Sequence, residues 1–167
     1  MNKKRITESS ELVLVTGANG FIGPKVIETL FRHGFTNIRA LVRSSRNSAG
    51  LQSIASFAGR SLGIVQGNLL SRDDCRLVAR DVSLIFHLAA GTGKSFAGCF
   101  MNSALATRNL LDAALEMTHL KRFVNVSSLA VYSGSKMRPG DLLDENSPIE
   151  SEHMARFDPY AYGKIKQ

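Results

Sequence analysis

Residues 12–23 read Leu-Val-Leu-Val-Thr-Gly-Ala-Asn-Gly-Phe-Ile-Gly, an apolar run that leads directly into three glycines spaced three residues apart. The short apolar run predicts a buried strand at Leu12–Thr16. A pattern of helical period follows, which predicts a helix at Phe21–His33 with Gly34 as the residue just past its end. The stretch therefore predicts a strand, a tight glycine turn and a helix, in that order.

The same alternation of short apolar runs and longer helical patterns continues along the chain. Further strands are predicted at Ile38–Val42, Gly63–Gln66, Leu84–Leu88 and Phe123–Val126, and further helices near Leu51–Phe57 and at Ser71–Ala79 and Cys99–Met117. Repeated strand–helix units with right-handed crossovers predict an α/β fold, a Rossmann-type doubly wound parallel sheet with helices on both faces. We expect one such domain over residues 11–167, incomplete at its C-terminal end, after a polar tail over residues 1–10. Between Tyr132 and Pro159 the pattern dissolves into a long irregular stretch, of the kind that usually carries function.

The glycine turn has the spacing of a phosphate-binding turn. Its glycines permit, in order, a tight turn, close approach of the backbone to a pyrophosphate, and close packing of helix on strand. The N–H groups and the positive dipole end of the helix would then face the phosphates. A purely structural turn is the alternative, but the strand before and the helix after favour a dinucleotide cofactor. The residues predicted to bind it here are Gly17, Asn19, Gly20, Phe21, Ile22 and Gly23.

The end of the second strand bears on which dinucleotide is bound. An acidic residue that accepts a hydrogen bond from the adenosine ribose is expected about 20 residues after the glycines. The chain instead reads Arg39-Ala40-Leu41-Val42-Arg43. An arginine pairs well with a 2′-phosphate, so Arg43 favours NADP over NAD, with a simple surface arginine as the alternative.

Composition argues against several other classes. The chain has 167 residues, 44% of them hydrophobic, and no apolar run of about 18 residues that could span a membrane. Its net charge of +7 is scattered and there is no Trp, so we expect no nucleic acid as partner. The two cysteines and four histidines lack metal-ligand spacing, which predicts no metal site. The polar N-terminus lacks the apolar stretch of a signal peptide, which favours the cytoplasm.

A second glycine motif offers a rival interpretation. Gly91-Thr92-Gly93-Lys94-Ser95 resembles the end of the phosphate-binding loop of nucleoside triphosphatases. The complete motif requires a glycine five residues before Gly93, where Leu88 stands. A P-loop triphosphatase is therefore kept as a remote alternative, and we expect the segment to form a loop on the cofactor side.

Several segments, taken in order, resemble the extended short-chain dehydrogenases/reductases, also called the NAD-dependent epimerase/dehydratase family. They are Ile85–Ala90, Asn102 with Thr107, Phe123–Tyr132, Asp144–Pro148 and Asp158–Lys164. The resemblance runs from Leu12 to the last residue. It departs from the family at Gly67-Asn68, where the family has Gly-Asp, although an amide can still hydrogen-bond to an adenine. The resemblance implies further cofactor contacts from Asn68, Leu69, Leu88, Ala89, Ala90, Tyr160 and Lys164.

The resemblance also implies that Ser128, Tyr160 and Lys164 are the catalytic residues. A tyrosine is a poor acid or base at neutral pH, but a lysine ammonium about 4 Å away stabilises a phenolate by about 4 kcal/mol at an effective dielectric of 20. Lys164 would also hold the nicotinamide ribose, and Ser128 would donate a hydrogen bond to the substrate oxygen.

A second tyrosine and lysine pair has the same spacing, because Tyr162 stands four residues before Lys166. Side chains two residues apart on a helix point in roughly opposite directions, so only one tyrosine can act. Pro159 suits the first turn of a helix that begins beside Tyr160. We therefore expect Tyr160 to exchange the proton and Tyr162 to pack.

The function that the resemblance implies is that of an NAD(P)-dependent epimerase, dehydratase or reductase acting by hydride transfer on a nucleotide sugar, with a homodimer as an allowed assembly. Extended members place much of the substrate pocket in a C-terminal portion, and Gln167 ends the chain before that portion. We therefore expect the chain alone to be inactive. A catalytically silent NAD(P)-binding sensor would share every cofactor motif and stays open as an alternative.

Overall fold

The structure is a computed structural model that describes residues 6–138, 140–152 and 157–167. The chain divides into two compact units. The sheet unit comprises Met1–Ala89 and Asn109–Val126, and the second unit comprises Ala90–Arg108 and Ser127–Gln167.

The sheet unit is built on five parallel strands in the order β3-β2-β1-β4-β5. The strands are β1 Val13–Thr16, β2 Ile38–Val42, β3 Leu62–Gln66, β4 Leu84–His87 and β5 Arg122–Asn125. Each lies within one residue of its predicted bounds at either end. The order reverses beside β1, as in a doubly wound sheet, so the predicted Rossmann-type fold is confirmed.

The central strand β1 anchors the core of this unit. All four of its residues are fully buried, as expected for a strand with helices on both faces. Val13 and Val15 belong to an apolar cluster with Ile27 and Phe31 of the first helix. Burying each such side chain stabilises the fold by about 1.5–3 kcal/mol. The residues that follow Thr16 therefore leave the sheet from a firmly held position.

The helices follow the predicted order with corrected bounds. They are α1 Gly23–Arg32, α2 Ala49–Phe57, α3 Arg72–Ala79, α4 Phe96–Phe100, α5 Ala106–Leu115 and α6 Pro159–Ile165. The predicted start of α1 at Phe21 is wrong, because Phe21 and Ile22 still belong to the turn and the helix begins beside Pro24. Gly34 adopts a positive φ of 88° just past the helix, as predicted. Among the residues that the structure describes, no helix is both long and apolar enough to cross a bilayer.

The predicted single helix at Cys99–Met117 is also wrong. A helix begins earlier, at Phe96, because the Ser95 hydroxyl accepts a hydrogen bond from the Gly98 N–H. A π-helical stretch, Met101–Leu105, then separates α4 from α5. The Asn102 amide donates to the Gly98 carbonyl at 2.8 Å, the acceptor one turn earlier, and such side-chain competition disturbs regular helical pairing.

The irregular part of the second unit is closed by a short antiparallel contact between Tyr132 and Ile149. The Ser133 N–H donates to the Pro148 carbonyl at 2.8 Å, and the Ser133 hydroxyl donates to the buried Glu150 carboxylate at 3.0 Å. A single 3₁₀ turn, Leu129–Val131, precedes this irregular segment, and a second, Gly134–Lys136, lies at its start. The predicted loss of regular pattern is confirmed for its described residues, while residues 139 and 153–156 lie outside them.

Candidate active site and cofactor-binding turn

The glycine turn of the sheet unit has a geometry that only glycine permits. Gly17 has a φ of 63°, and a Cβ there would stand 2.9 Å from the Ala89 nitrogen. A Cβ on Gly23 would overlap the carbonyl of Ala18, and one on Gly20 would lie 3.1 Å from the Gly17 oxygen. The turn is therefore pressed against its own backbone and against the end of β4.

This turn fits an anionic group such as a pyrophosphate. Among the described residues, the backbone N–H groups of Phe21 and Ile22 have no hydrogen-bond partner. They precede α1, whose first turn carries no acidic residue to compete for its positive end. The Phe21 side chain is 97% exposed beside them.

Thr16 holds the ends of β1 and β4 together. Its hydroxyl accepts hydrogen bonds from the N–H groups of Leu88 and Ala89, both at 3.2 Å. His87, fully buried, places its Nδ1 2.7 Å from the same oxygen. Thr16 was not among the predicted site residues, although its position at a strand end before the first glycine was the available signal. Predicted contact residues Leu88 and Ala89 thus lie beside Gly17, both half-buried.

The loop after β2 is tied to the glycine turn. The Asn19 side chain donates to the Ser44 carbonyl at 3.4 Å, next to Arg43. Arg43 is exposed and follows the last residue of the strand. The predicted cofactor residues Asn19 and Arg43 are therefore on one side of the sheet, at the carboxyl ends of its strands.

The residues after β3 use part of their hydrogen-bonding capacity locally. The Asn68 N–H donates to the Asp74 carboxylate at 2.7 Å, and its side-chain oxygen accepts from the Leu70 N–H. The Leu69 side chain is buried, and its carbonyl accepts from the Asn109 amide at 3.0 Å. A cofactor contact at Leu69 would therefore fall to the backbone.

Helix α6 of the second unit carries the predicted proton-transfer pair. Asp158 caps it, accepting a hydrogen bond from the Ala161 N–H at 3.0 Å. Tyr160 is half-buried, and Lys164, four residues later on the same face, is only 6% exposed. Burial lowers the pKa of the Lys164 ammonium below its ordinary value.

The competing pair lies in different surroundings. The Tyr162 ring packs nearly perpendicular to the Phe96 ring, with ring centroids 5.4 Å apart. The centroid of the Phe100 ring lies 6.2 Å from that of Tyr162. Lys166 is exposed at the end of the helix. These surroundings match the packing position expected for Tyr162.

Ser128 precedes the 3₁₀ turn Leu129–Val131, which packs against α6. Its hydroxyl oxygen accepts a hydrogen bond from the Ala130 N–H at 3.2 Å. That contact leaves the hydroxyl proton to donate in another direction. Ser127, the alternative serine, is more exposed. Ser128, Tyr160 and Lys164 thus come from elements that contact one another, with Ala90 at the start of the same unit.

The loop that resembles a P-loop, residues 91–95, packs against other residues of the second unit. The Gly91 N–H donates to the Ser103 hydroxyl at 3.0 Å, and a Cβ on Gly91 would lie 2.7 Å from the Cys99 Cα. The Cys99 thiol donates to the Gly93 carbonyl at 3.2 Å. The loop is therefore a packing element against α4. Within the described ranges, no group of three or more potential metal ligands occurs.

Comparison with known proteins gives a consistent family. The model of the NAD dependent epimerase/dehydratase family matches residues 13–167. Aldehyde reductase 2 of Sporidiobolus salmonicolor is 33% identical over 74% of this chain and 37% of its own length. A trifunctional UDP-glucose 4,6-dehydratase/UDP-4-keto-6-deoxy-D-glucose 3,5-epimerase/UDP-4-keto-L-rhamnose-reductase of Arabidopsis thaliana is 27% identical over 91% of this chain and 23% of its own length.

Among solved structures, a short-chain dehydrogenase/reductase superfamily protein of Agrobacterium tumefaciens with bound NAD is 26% identical. The alignment covers 93% of this chain and 42% of that one, with a TM-score of 0.72. The chain thus spans less than half the length of each of these three proteins.

Proposed function

The chain belongs to the NAD-dependent epimerase/dehydratase family, and we propose that it supplies the cofactor-binding and proton-transfer parts of an NAD(P)-dependent epimerase, dehydratase or reductase. The proposal rests above all on α6, where a buried lysine follows a half-buried tyrosine by one helical turn. Hydride exchange at a carbon–oxygen bond needs such a pair, because the oxygen gains or loses a proton as the carbon changes oxidation state.

Three side chains carry the proton transfer in this proposal. Tyr160 exchanges its phenolic proton with the substrate oxygen. Lys164, held in a poorly solvated position, stabilises the phenolate and hydrogen-bonds to the ribose of the cofactor. Ser128 donates its free hydroxyl proton to the same substrate oxygen and fixes its orientation.

The proposed cofactor is NADP in preference to NAD. The glycine turn holds the pyrophosphate through the N–H groups before α1, and the family is NAD-dependent. When bound, the nicotinamide supplies the hydride exchange. The preference for the phosphorylated form comes from Arg43, whose guanidinium can pair with a 2′-phosphate beside the loop that Asn19 holds.

The proposed substrate is a nucleotide sugar. The Arabidopsis relative named above acts on UDP-sugars, which supports this class. A second candidate is a smaller aldehyde, because the Sporidiobolus relative is named an aldehyde reductase and is the more similar in sequence. Both candidates present the same reacting group, a carbonyl carbon or the corresponding hydroxyl.

Substrate conversion with the matching form of the cofactor tests the proposed activity. The protein, at its full natural length, is incubated with NADPH deuterated at the nicotinamide and a panel of aldehydes, and separately with NADP⁺ and a panel of UDP-sugars. We expect either deuterium in a reduced product or an epimerised or dehydrated sugar detected by NMR, and neither with Tyr160→Phe. Cofactor binding without conversion of any substrate would instead support the silent NAD(P)-binding sensor. Retained conversion in Tyr160→Phe would overturn the role of Tyr160 and leave the activity standing.

We also propose that the whole protein is a homodimer in the cytoplasm, with no nucleic acid and no membrane as partner. Sedimentation of the purified protein at its full natural length, with and without NADPH, measures the assembly. A monomer under both conditions would remove the dimer from the proposal and leave its chemistry unchanged.

A further inference from the structure

The buried end of Lys164 is held by a short chain of hydrogen bonds that the proposed chemistry does not use. The Lys164 ammonium donates to the Gln167 side-chain oxygen at 2.6 Å. The Gln167 side-chain nitrogen in turn donates to the Thr107 hydroxyl at 2.9 Å. We propose that Gln167 and Thr107 are positioning residues that hold Lys164 in its working orientation, an inference that rests on the proposed function.

The side-chain amide of Gln167 has an acceptor end and a donor end. Only the oxygen end can accept a hydrogen bond from an ammonium group, and the nitrogen end would oppose it. Thr107 offers its hydroxyl oxygen to the nitrogen end. Lys164, which can only donate, therefore selects the amide orientation, and the Thr107 hydroxyl oxygen stabilises that orientation by accepting from the nitrogen end.

Burial makes this selection consequential. Thr107 is 2% exposed and Lys164 is 6% exposed, so water cannot readily replace a lost protein contact. A buried charge without a good acceptor is expensive. Burial already lowers the pKa of Lys164, and an oxygen acceptor opposes that effect by favouring the charged form.

The titratable groups on the elements around this network are few. Helix α5, which carries Thr107, also bears Arg108 and Asp112, whose side chains are exposed. The elements that pack against α6 are α4, the π-helical stretch and the 3₁₀ turn at Leu129–Val131. Cys99 is the single titratable residue in their sequences, and its thiol donates to the Gly93 carbonyl. On α6 itself the neighbours are Tyr160 and Tyr162. A change at Thr107 or Gln167 should therefore be felt by Lys164 first.

The test uses four variants of the protein at its full natural length. Thr107→Val removes the hydroxyl at nearly constant shape, and Thr107→Ser restores it as the conservative rescue. Gln167→Met removes the amide, and Gln167→Glu replaces it with a carboxylate. Thr118→Val, at an exposed threonine, is the matched control. Urea unfolding of every variant reports whether it folds.

The primary readout is the pKa of Lys164, from ¹³C NMR of protein labelled at the lysine ε-carbon and assigned with Lys164→Arg. We expect Gln167→Met to lower it by about one to two pH units, because a hydrogen bond to a charged group is lost. Thr107→Val should lower it by a smaller amount, up to about one unit, because the bond lost there joins two neutral groups and acts on Lys164 only through Gln167. Gln167→Glu should raise it, since a carboxylate stabilises the ammonium. Thr107→Ser and Thr118→Val should titrate like the wild type.

The second readout is the pH dependence of kcat. Gln167→Glu should move its alkaline limb to higher pH, because a partly neutralised ammonium stabilises the phenolate less. Unchanged Lys164 titration in folded Thr107→Val and Gln167→Met overturns the inference whatever the kinetics show. A shifted titration with an unshifted kcat profile upholds the network and overturns the proposed use of Lys164 in proton transfer.

Discussion

Both units bury polar side chains, but only the sheet unit, among the described residues, also buries large aliphatic ones. Fully buried positions of the sheet unit include Val13, Leu14, Ile27 and Ile85, all branched aliphatic residues. The described part of the second unit buries mainly small or polar residues, namely Cys99, Ser103, Ala106, Thr107, Ser133, Glu150, Ala161 and Lys164. Most of the polar ones are joined by the hydrogen bonds described above.

Aliphatic and polar burial have different physical consequences for a folded unit. Aliphatic burial stabilises a fold in proportion to area and tolerates similar residues. A buried polar group is costly unless its partners are correctly placed, so a unit built from such groups fixes the geometry of a few side chains. We infer that the sheet unit contributes the platform for the cofactor and that the second unit contributes the reactive groups.

The largest effect should come from the proposed acid in the second unit. Tyr160→Phe should lower turnover by about 10²–10⁴-fold, the usual range for a lost general acid or base, with cofactor affinity nearly unchanged. Tyr162→Phe keeps the ring that packs on Phe96 and should change turnover little. Steady-state kinetics and cofactor titration of both variants are the measurement. The opposite ranking would move the assignment to Tyr162 and Lys166.

The next effect concerns the core of the sheet unit. Leu14→Ala empties a fully buried position in the central strand and should lower the free energy of unfolding by about 2–5 kcal/mol. Leu142→Ala, at a leucine of the second unit that is 90% exposed, is the matched control and should stay within about 0.5 kcal/mol of wild type. Urea denaturation compares the two. Equal costs would remove the contrast between the units.

Cofactor preference should change by a smaller factor. Arg43→Asp should reduce the preference for NADPH over NADH by about ten- to a hundredfold, because a charged hydrogen bond to a phosphate is lost. Arg46→Asp, an exposed arginine in the same loop, controls for charge alone. Fluorescence titration with both dinucleotides gives the ratio. If both variants shift it equally, the loop acts only through its net charge.

The smallest effect is a pH dependence in the sheet unit. Hydrogen bonds from the Lys121 ammonium and the Thr7 hydroxyl lower the pKa of Glu11 to about 2 from an ordinary 4.5. A carboxyl with a lowered pKa adds stability above its unfolded value, and this stability is lost as the pH falls from about 4.5 to about 2. Glu11→Gln and Lys121→Met should both flatten this part of the acid-unfolding curve. A wild-type slope in either variant would contradict the assignment.

The fold was open to prediction where a single physical signal dominates. Short apolar runs located all five strands because a parallel strand is buried on both faces. The sequence pattern did not predict the interruption of the Cys99–Met117 helix. The bond from the Asn102 side chain to the Gly98 carbonyl has no signature in the hydrophobic periodicity.

The candidate site was predictable to a different degree in each unit. The glycine spacing, together with the strand before it and the helix after it, indicated the turn from Gly17 to Gly23. Tyr160, Lys164 and Ser128 required the family resemblance, since no local period marks a proton-transfer pair. The support that Gln167 and Thr107 give to Lys164 joins residues 60 positions apart, and only the folded chain brings them together.

Calorimetric titration with NADPH, NADH and ATP tests most directly whether the sheet unit binds the cofactor while the second unit supplies the reactive groups. It should be done on the wild type, on Gly17→Val and on Tyr160→Phe, all at full natural length. Gly17→Val places a side chain at a φ of 63° and against the Ala89 nitrogen, so dinucleotide binding should be lost. Tyr160→Phe should bind NADPH as the wild type does, and ATP should bind more weakly than either dinucleotide. Tighter binding of ATP than of both dinucleotides, or wild-type NADPH affinity in Gly17→Val, would contradict a cofactor platform in the sheet unit.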